Sequence, residues 1–144
     1  MAFATRTLRD TPVNNPGAGG FVTILVDIED DTTANNAILD ASALAGHANG
    51  AKLHLNRIWW SLVEGTADDD TGHVEIIEVG AAANNSQDST QFRCAGTGHY
   101  DGTAGAIKSA ATNTSATSGD HEASCFGTSG TIIIEFKKDE NYTS

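Results

Sequence analysis

Several stretches of the chain alternate apolar and polar residues with a period of two. In 21–28, Val22, Ile24, Val26 and Ile28 share one parity, and Phe21, Thr23, Leu25 and Asp27 the other. In 131–138, Ile132, Ile134 and Phe136 fall together, and 73–79 (His-Val-Glu-Ile-Ile-Glu-Val) reads as a further strand. Successive side chains of a strand point to opposite faces, so each stretch offers one face to a core. The first and last of them are the most apolar, which predicts that both lie inside sheets and not at exposed edges.

The densest run of large apolar side chains is 51–63, and it holds both tryptophans. Strict alternation puts Leu53, Leu55, Arg57, Trp59, Ser61 and Val63 on one face, and Ile58, Trp60 and Leu62 on the other. Both faces are apolar towards the C-terminal end. This strand is therefore predicted to be central, or to meet a partner with its second face. Trp59 and Trp60 are adjacent and must point apart. One is expected to fill the core, and the other to meet a subunit or to cover the second sheet face.

Shorter strands are predicted over 91–95 and 120–126. Residues 36–46 fit either a short helix ended by Gly46 or an irregular crossing plugged by Ile38, Leu39 and Leu44. Small polar residues fill 80–89 and most of 102–119. Residues 1–20 read as an N-terminal arm. Thr5, Thr7 and Arg9 alternate with Arg6, Leu8 and Asp10, which allows a short edge strand; Pro12, Pro16 and three glycines then break regular structure. The arm is either a flexible terminus or an extension that pairs with a neighbouring subunit. Seven or eight strands, with turn signals roughly every ten residues, predict an all-β fold: an antiparallel β-sandwich forming a single domain over 21–144 behind the extended arm. A jelly roll fits better than an immunoglobulin-like sandwich, because both tryptophans precede both cysteines.

Charge narrows the class of partner. Lys and Arg number 8 against 19 Asp and Glu, a formal net charge of -11 over 144 residues. Nucleic acid and anionic membranes are disfavoured as partners, since both need clustered cations. No apolar run is long enough for a transmembrane helix. The first ten residues lack a continuous hydrophobic region, which predicts synthesis in a cytoplasm without a secretory signal. Cys94 and Cys125 are too few for a disulfide framework and are expected as buried free thiols; a mutual disulfide formed after release from a cell is the alternative.

Candidate chemistry is sparse. Glu29-Asp30-Asp31 and Asp68-Asp69-Asp70 carry hard oxygen ligands, but neither has the spacing of a calcium loop, and both read as solvated turns. His47, His54, His73, His99 and His121 are scattered singly without metal-ligand spacing; His99 and His121 are the pair that neighbouring strands could gather. Composition permits a Ser-His-Asp or Cys-His-Asp arrangement, but there is no Gly-x-Ser-x-Gly elbow. Glu75 and Glu78 have opposite parity and cannot face each other across a cleft. Gly96-Thr97-Gly98 lacks the third glycine and following helix of a phosphate-binding loop. An exposed tryptophan could stack on a sugar, which makes a carbohydrate-binding, lectin-like module the alternative of a different class. No enzyme, metal site or cofactor is predicted.

Several segments occur together in a recognisable order. They are Thr5-Arg6-Thr7-Leu8-Arg9, the 22–28 strand, Ile38-Leu39-Asp40-Ala41-Ser42-Ala43-Leu44, the run from Leu53 through Trp59-Trp60 to Leu62, Gly96-Thr97-Gly98-His99-Tyr100-Asp101, and the closing stretch 130–138. The set resembles small virion structural proteins of tailed bacteriophages, particularly of marine and cyanobacterial viruses, some of which act as capsid decoration (cement) proteins. It departs from that pattern after Val74, where Glu-Ile-Ile-Glu stands in place of a Trp-Asp pair. The resemblance implies a homotrimer made in the host cytoplasm and bound to the outer surface of the virion. There it bridges subunits of the major capsid protein. On that reading Arg6, Leu8 and Arg9 meet the capsid, Trp59 or Trp60 anchors a subunit interface, and the acidic loops around Asp30 and Asp69 face solvent. A head–tail or tail component is the competing role within the same resemblance.

Overall fold

The computed structural model describes residues 2–12, 20–45, 52–66, 71–80, 88–109 and 117–139. The second half of the expected arm, the loop at 47–50 and the aspartates 68–70 lie outside them. Nine strands follow in order: β1 (Ala2–Asp10), β2 (Phe21–Asp31), β3 (Asn36–Leu39), β4 (Leu53–Glu64), β5 (His73–Gly80), β6 (Ser89–Ala95), β7 (Thr97–Tyr100), β8 (Thr117–Phe126) and β9 (Thr128–Lys138). They form two antiparallel sheets packed as a β-sandwich. One has five strands in the order β1-β2-β9-β4-β7, the other four in the order β3-β8-β5-β6. No helix among the described residues is long and apolar enough to cross a membrane.

The alternation read in the sequence builds the core. Val22, Ile24, Val26 and Ile28 of β2 and Ile132, Ile134 and Phe136 of β9 are all buried, as are Val74 and Ile76 of β5 from the opposite sheet. Burying each such side chain contributes roughly 1.5–3 kcal/mol, which is what holds the two sheets face to face. Both β2 and β9 are interior strands, as their composition requires: β2 lies between β1 and β9, and β9 between β2 and β4.

Strict alternation fails in β4. Leu53, Leu55, Ile58 and Leu62 are all buried, although the first two differ in parity from the last two. The cause is a bulge: Leu55 pairs with Phe136 and Arg57 with Glu135, so Asn56 is an extra residue without a counterpart on β9. One inserted residue inverts the facing of everything after it. Arg57, Trp59, Ser61 and Val63 consequently point away from the core that Leu53 and Leu55 enter.

Of the two readings of 36–46, the irregular crossing is the one observed. β3 is followed by a single 3-10 turn, Ala41–Ala43, whose first turn is capped by Asp40 accepting from the Ser42 N–H. Ile38 and Leu39 are buried and Leu44 packs against the core. The edge strand allowed within the first ten residues is β1, antiparallel to β2. Its far end is clamped. The Lys138 Nζ at the end of β9 is fully buried and donates to Asp10 Oδ1, to the Thr11 carbonyl at 2.9 Å and to the Ala45 carbonyl at 2.8 Å.

Two of the crossings between the sheets, β6 to β7 and β8 to β9, are made by a single residue. Gly127 alone separates β8 in one sheet from β9 in the other, with φ of 63°, a left-handed conformation that glycine adopts without steric cost. Cys94 and Cys125 are buried free thiols that flank Val74 as its Cα partners on either side. Two strand spacings, ~9.6 Å, separate their backbones, beyond the reach of a disulfide. Burial pushes each thiol up to about 12.

Candidate interaction surface

The outer face of the five-stranded sheet gathers Arg6, Arg9, Trp59 and His99 of the residues singled out in the sequence. One transverse row crosses all five strands. Arg6 pairs with Leu25, Leu25 with Ile133, Ile133 with Trp59, and Trp59 with His99. The next row towards the clamp runs Arg9, Thr23, Glu135, Arg57. The chain neighbours Ile24, Ile134 and Ile58 point the other way and are buried, which fixes the row as outward-facing.

Two bulges make this face. Arg6 and Arg9 are three residues apart and would point to opposite sides of a regular strand. Between Thr7 and Arg9 the register shifts, and Leu8 is the extra residue. Both arginines therefore oppose outward positions of β2, while Leu8 itself is 44% exposed. The bulge at Asn56 does the same for Trp59. Without it, Trp59 would follow Leu53 and Leu55 into the core.

Trp59 is 38% exposed. It borders a shallow depression of about 360 Å³ lined also by Ser61, Thr97, His99, Thr131 and Ile133. Trp60 turns inward. Its ring meets Phe92 edge to face at 5.4 Å, and its Nε1–H donates to the Ala95 carbonyl at 2.8 Å. The indole also lies over Gly98, where a Cβ would come within 2.6 Å of it. The adjacent tryptophans thus divide as alternation requires, one in and one out.

Cations lie to one side of the apolar centre, towards the clamp. The Arg9 guanidinium stacks over the Phe21 ring at 5.2 Å and reaches Glu135 Oε2 at 3.2 Å. Arg57 Nε approaches Glu135 Oε1 at 3.8 Å, and Asn56 Nδ2 donates to the same oxygen at 2.6 Å. Both arginines are about half exposed, so these pairs contribute at most ~1 kcal/mol each and serve mainly to hold the guanidinium groups in place.

The other candidates are used inside the fold. Ser109, His54 and Asp139 do come together, but with the wrong connections for a nucleophile. His54 Nδ1 accepts from the Ser109 backbone N–H at 2.8 Å, and Nε2–H donates to Asp139 Oδ2 at 2.8 Å. The Ser109 hydroxyl donates instead to Glu78 Oε2, so neither ring nitrogen remains for it. Glu75 faces outward and bonds Arg93, while Glu78 is buried. Asp30 accepts from the Thr66 N–H and hydroxyl, which hold its carboxyl below the usual range, and Asp31 accepts from Thr33 and Asn36. His99 lies on the outer face of one sheet, whereas His121 is buried in the other against Phe136, so the two are not gathered. Among the described residues no three His, Cys, Asp or Glu side chains form a metal-binding group.

The surface was only partly legible beforehand. Arg6, Leu8, Arg9 and Trp59 were all candidates, but assigned to two separate contacts. Leu25, Ile133, Arg57 and His99 were missed. The available signal was the change of aliphatic parity between Leu55 and Ile58, which marks an inserted residue. Compared with known proteins, the chain matches no family model, no curated protein and no solved structure.

Proposed function

We propose that the protein is a virion structural protein that decorates the outside of a phage capsid. As a homotrimer it bridges subunits of the major capsid protein. It has no catalytic role, and its partners include neither nucleic acid nor membrane. The observation that carries this reading is the outward row from Arg6 to His99, a broad open face with an apolar centre and cations to one side of it. An open face of this kind suits another protein surface better than a small substrate.

Two further features support the reading. The order β2-β9-β4-β7 opposite β3-β8-β5-β6, with β1 at an edge, supports a jelly-roll reading of the sandwich. Such sandwiches recur in capsid architecture, though fold alone assigns no function. On this reading Arg6, Leu8 and Arg9, carried on β1 at the sheet edge, meet the shell.

The depression beside Trp59 favours one second reading, a carbohydrate-binding module in which the indole stacks on a sugar ring. Sugar-dependent quenching of tryptophan fluorescence would support it.

Native mass spectrometry of the purified protein, with and without bare capsids of the virus that encodes it, tests the proposal. A stable trimer that loads onto capsids is expected. A monomer that leaves capsids bare contradicts it.

A further inference from the structure

We propose that the whole outer face of the five-stranded sheet is a single docking surface for an acidic protein surface, with Arg6, Arg9 and Trp59 engaged together. This rests on the decoration reading, under which the acidic partner is the capsid shell. It departs from the sequence expectation, which divided Trp59 and the arginines between a subunit contact and a capsid contact.

Geometry joins them. Arg6 and Trp59 stand in one transverse row with only Leu25 and Ile133 between them. Three strand spacings, ~14 Å, separate their backbones. A protein surface seated on Trp59 therefore covers Arg6 as well.

Charge selects the occupant. Arg6, Arg9, Arg57 and Lys137 all lie on this face, half of the 8 Lys and Arg in a chain of net charge -11. The carboxylates nearest these cations are Glu135, which already sits between Arg9 and Arg57, and Asp101 beside His99, whereas Asp27 and Glu29 stand in the rows beyond Trp59, away from the clamp. The cations thus cluster at one end of the face, in the rows towards the clamp. A carboxylate-bearing surface with an apolar spot opposite Ile133 and Trp59 is the complement.

Area sets the strength. The row spans ~19 Å across the strands, and Phe21 to Asp27 spans ~20 Å along them, giving ~400 Å². That is about half of what one partner contributes to a stable standard interface. A single copy is expected to bind weakly, and several linked copies are needed to hold.

The test is co-sedimentation of the full-length protein with bare capsids, comparing wild type with Arg6→Glu, Trp59→Ala and, on the exposed surface of β6, Thr90→Glu. Unfolding midpoints and native mass are recorded for each. Arg6→Glu and Trp59→Ala should each lower capsid affinity about tenfold or more, Thr90→Glu should not, and wild-type loading should weaken with rising salt. If wild type loads and both variants load equally well, this surface is wrong and decoration stands. If Trp59→Ala instead breaks the trimer into monomers, the face lies between copies and the proposal is overturned. If wild type never loads, both readings fall.

Discussion

Arg6 and Arg9 lie three residues apart on β1, yet both stand opposite outward positions of β2, Arg6 at Leu25 and Arg9 at Thr23. Leu8 is the inserted residue that makes this so. An equivalent insertion at Asn56 turns Trp59 to the same side. The face thus depends on two single-residue irregularities, and each is open to direct test.

Deleting Asn56 should restore strict alternation in β4. Either Ile58 and Leu62 or Leu53 and Leu55 would then leave the core. Losing two buried aliphatic side chains costs on the order of 4 kcal/mol or more. Urea denaturation should show a large fall in midpoint, or no cooperative transition. A midpoint like that of wild type would mean that the bulge does not set the facing of β4.

The clamp at Lys138 predicts an asymmetry between its partners. Asp10→Ala takes the carboxylate from a fully buried ammonium that keeps the Thr11 and Ala45 carbonyls, and should destabilise by roughly 3–5 kcal/mol. Lys138→Met removes the buried charge and leaves Asp10, which is partly solvated and still accepts from the Ala45 N–H at 2.7 Å. It should cost less than Asp10→Ala. Equal losses in both variants, measured by equilibrium unfolding, would contradict this account.

Acid sensitivity should centre on His121. The ring is buried against Phe136, with its Nδ1 3.1 Å from the Gly119 carbonyl, and burial lowers its pKa from 6.5 to about 4. The folded state holds the ring neutral while the unfolded chain protonates below 6.5. Stability is therefore fully present above pH 6.5 and falls as pH drops towards 4. The loss attributable to this residue by pH 4.5 is about 2.5 kcal/mol. Urea midpoints at pH 7 and pH 4.5 should differ less in a His121→Leu variant than in wild type. An identical difference in the two would rule out this origin.

Much of the fold was legible because burial obeys parity. Val22 to Ile28 and Ile132 to Phe136 declare their inward faces by alternation alone, and their apolar richness places β2 and β9 inside the sheet. Parity also separates Trp59 from Trp60 and Glu75 from Glu78. What it could not supply is which tryptophan faces inward, because that depends on the insertion at Asn56. A bulge leaves residue composition unchanged and is visible only as a break in aliphatic phase. The proposed docking face was illegible for a further reason. Arg6, Leu25, Ile133, Trp59 and His99 come from five strands far apart in sequence, and only the pairing registers align them. Lys138 likewise gave no sign of burial, since Asp10, Thr11 and Ala45, which accept from it, lie at the end of β1 and in the segment after the 3-10 turn.

The most direct test of the account is a cryo-electron microscopy reconstruction of capsids loaded with the protein. The predicted result is added density on the outer capsid surface, oriented with the β1-β2-β9-β4-β7 sheet against the shell and Trp59 in the contact. Bare capsids after loading, or density with that sheet turned to solvent, would contradict it.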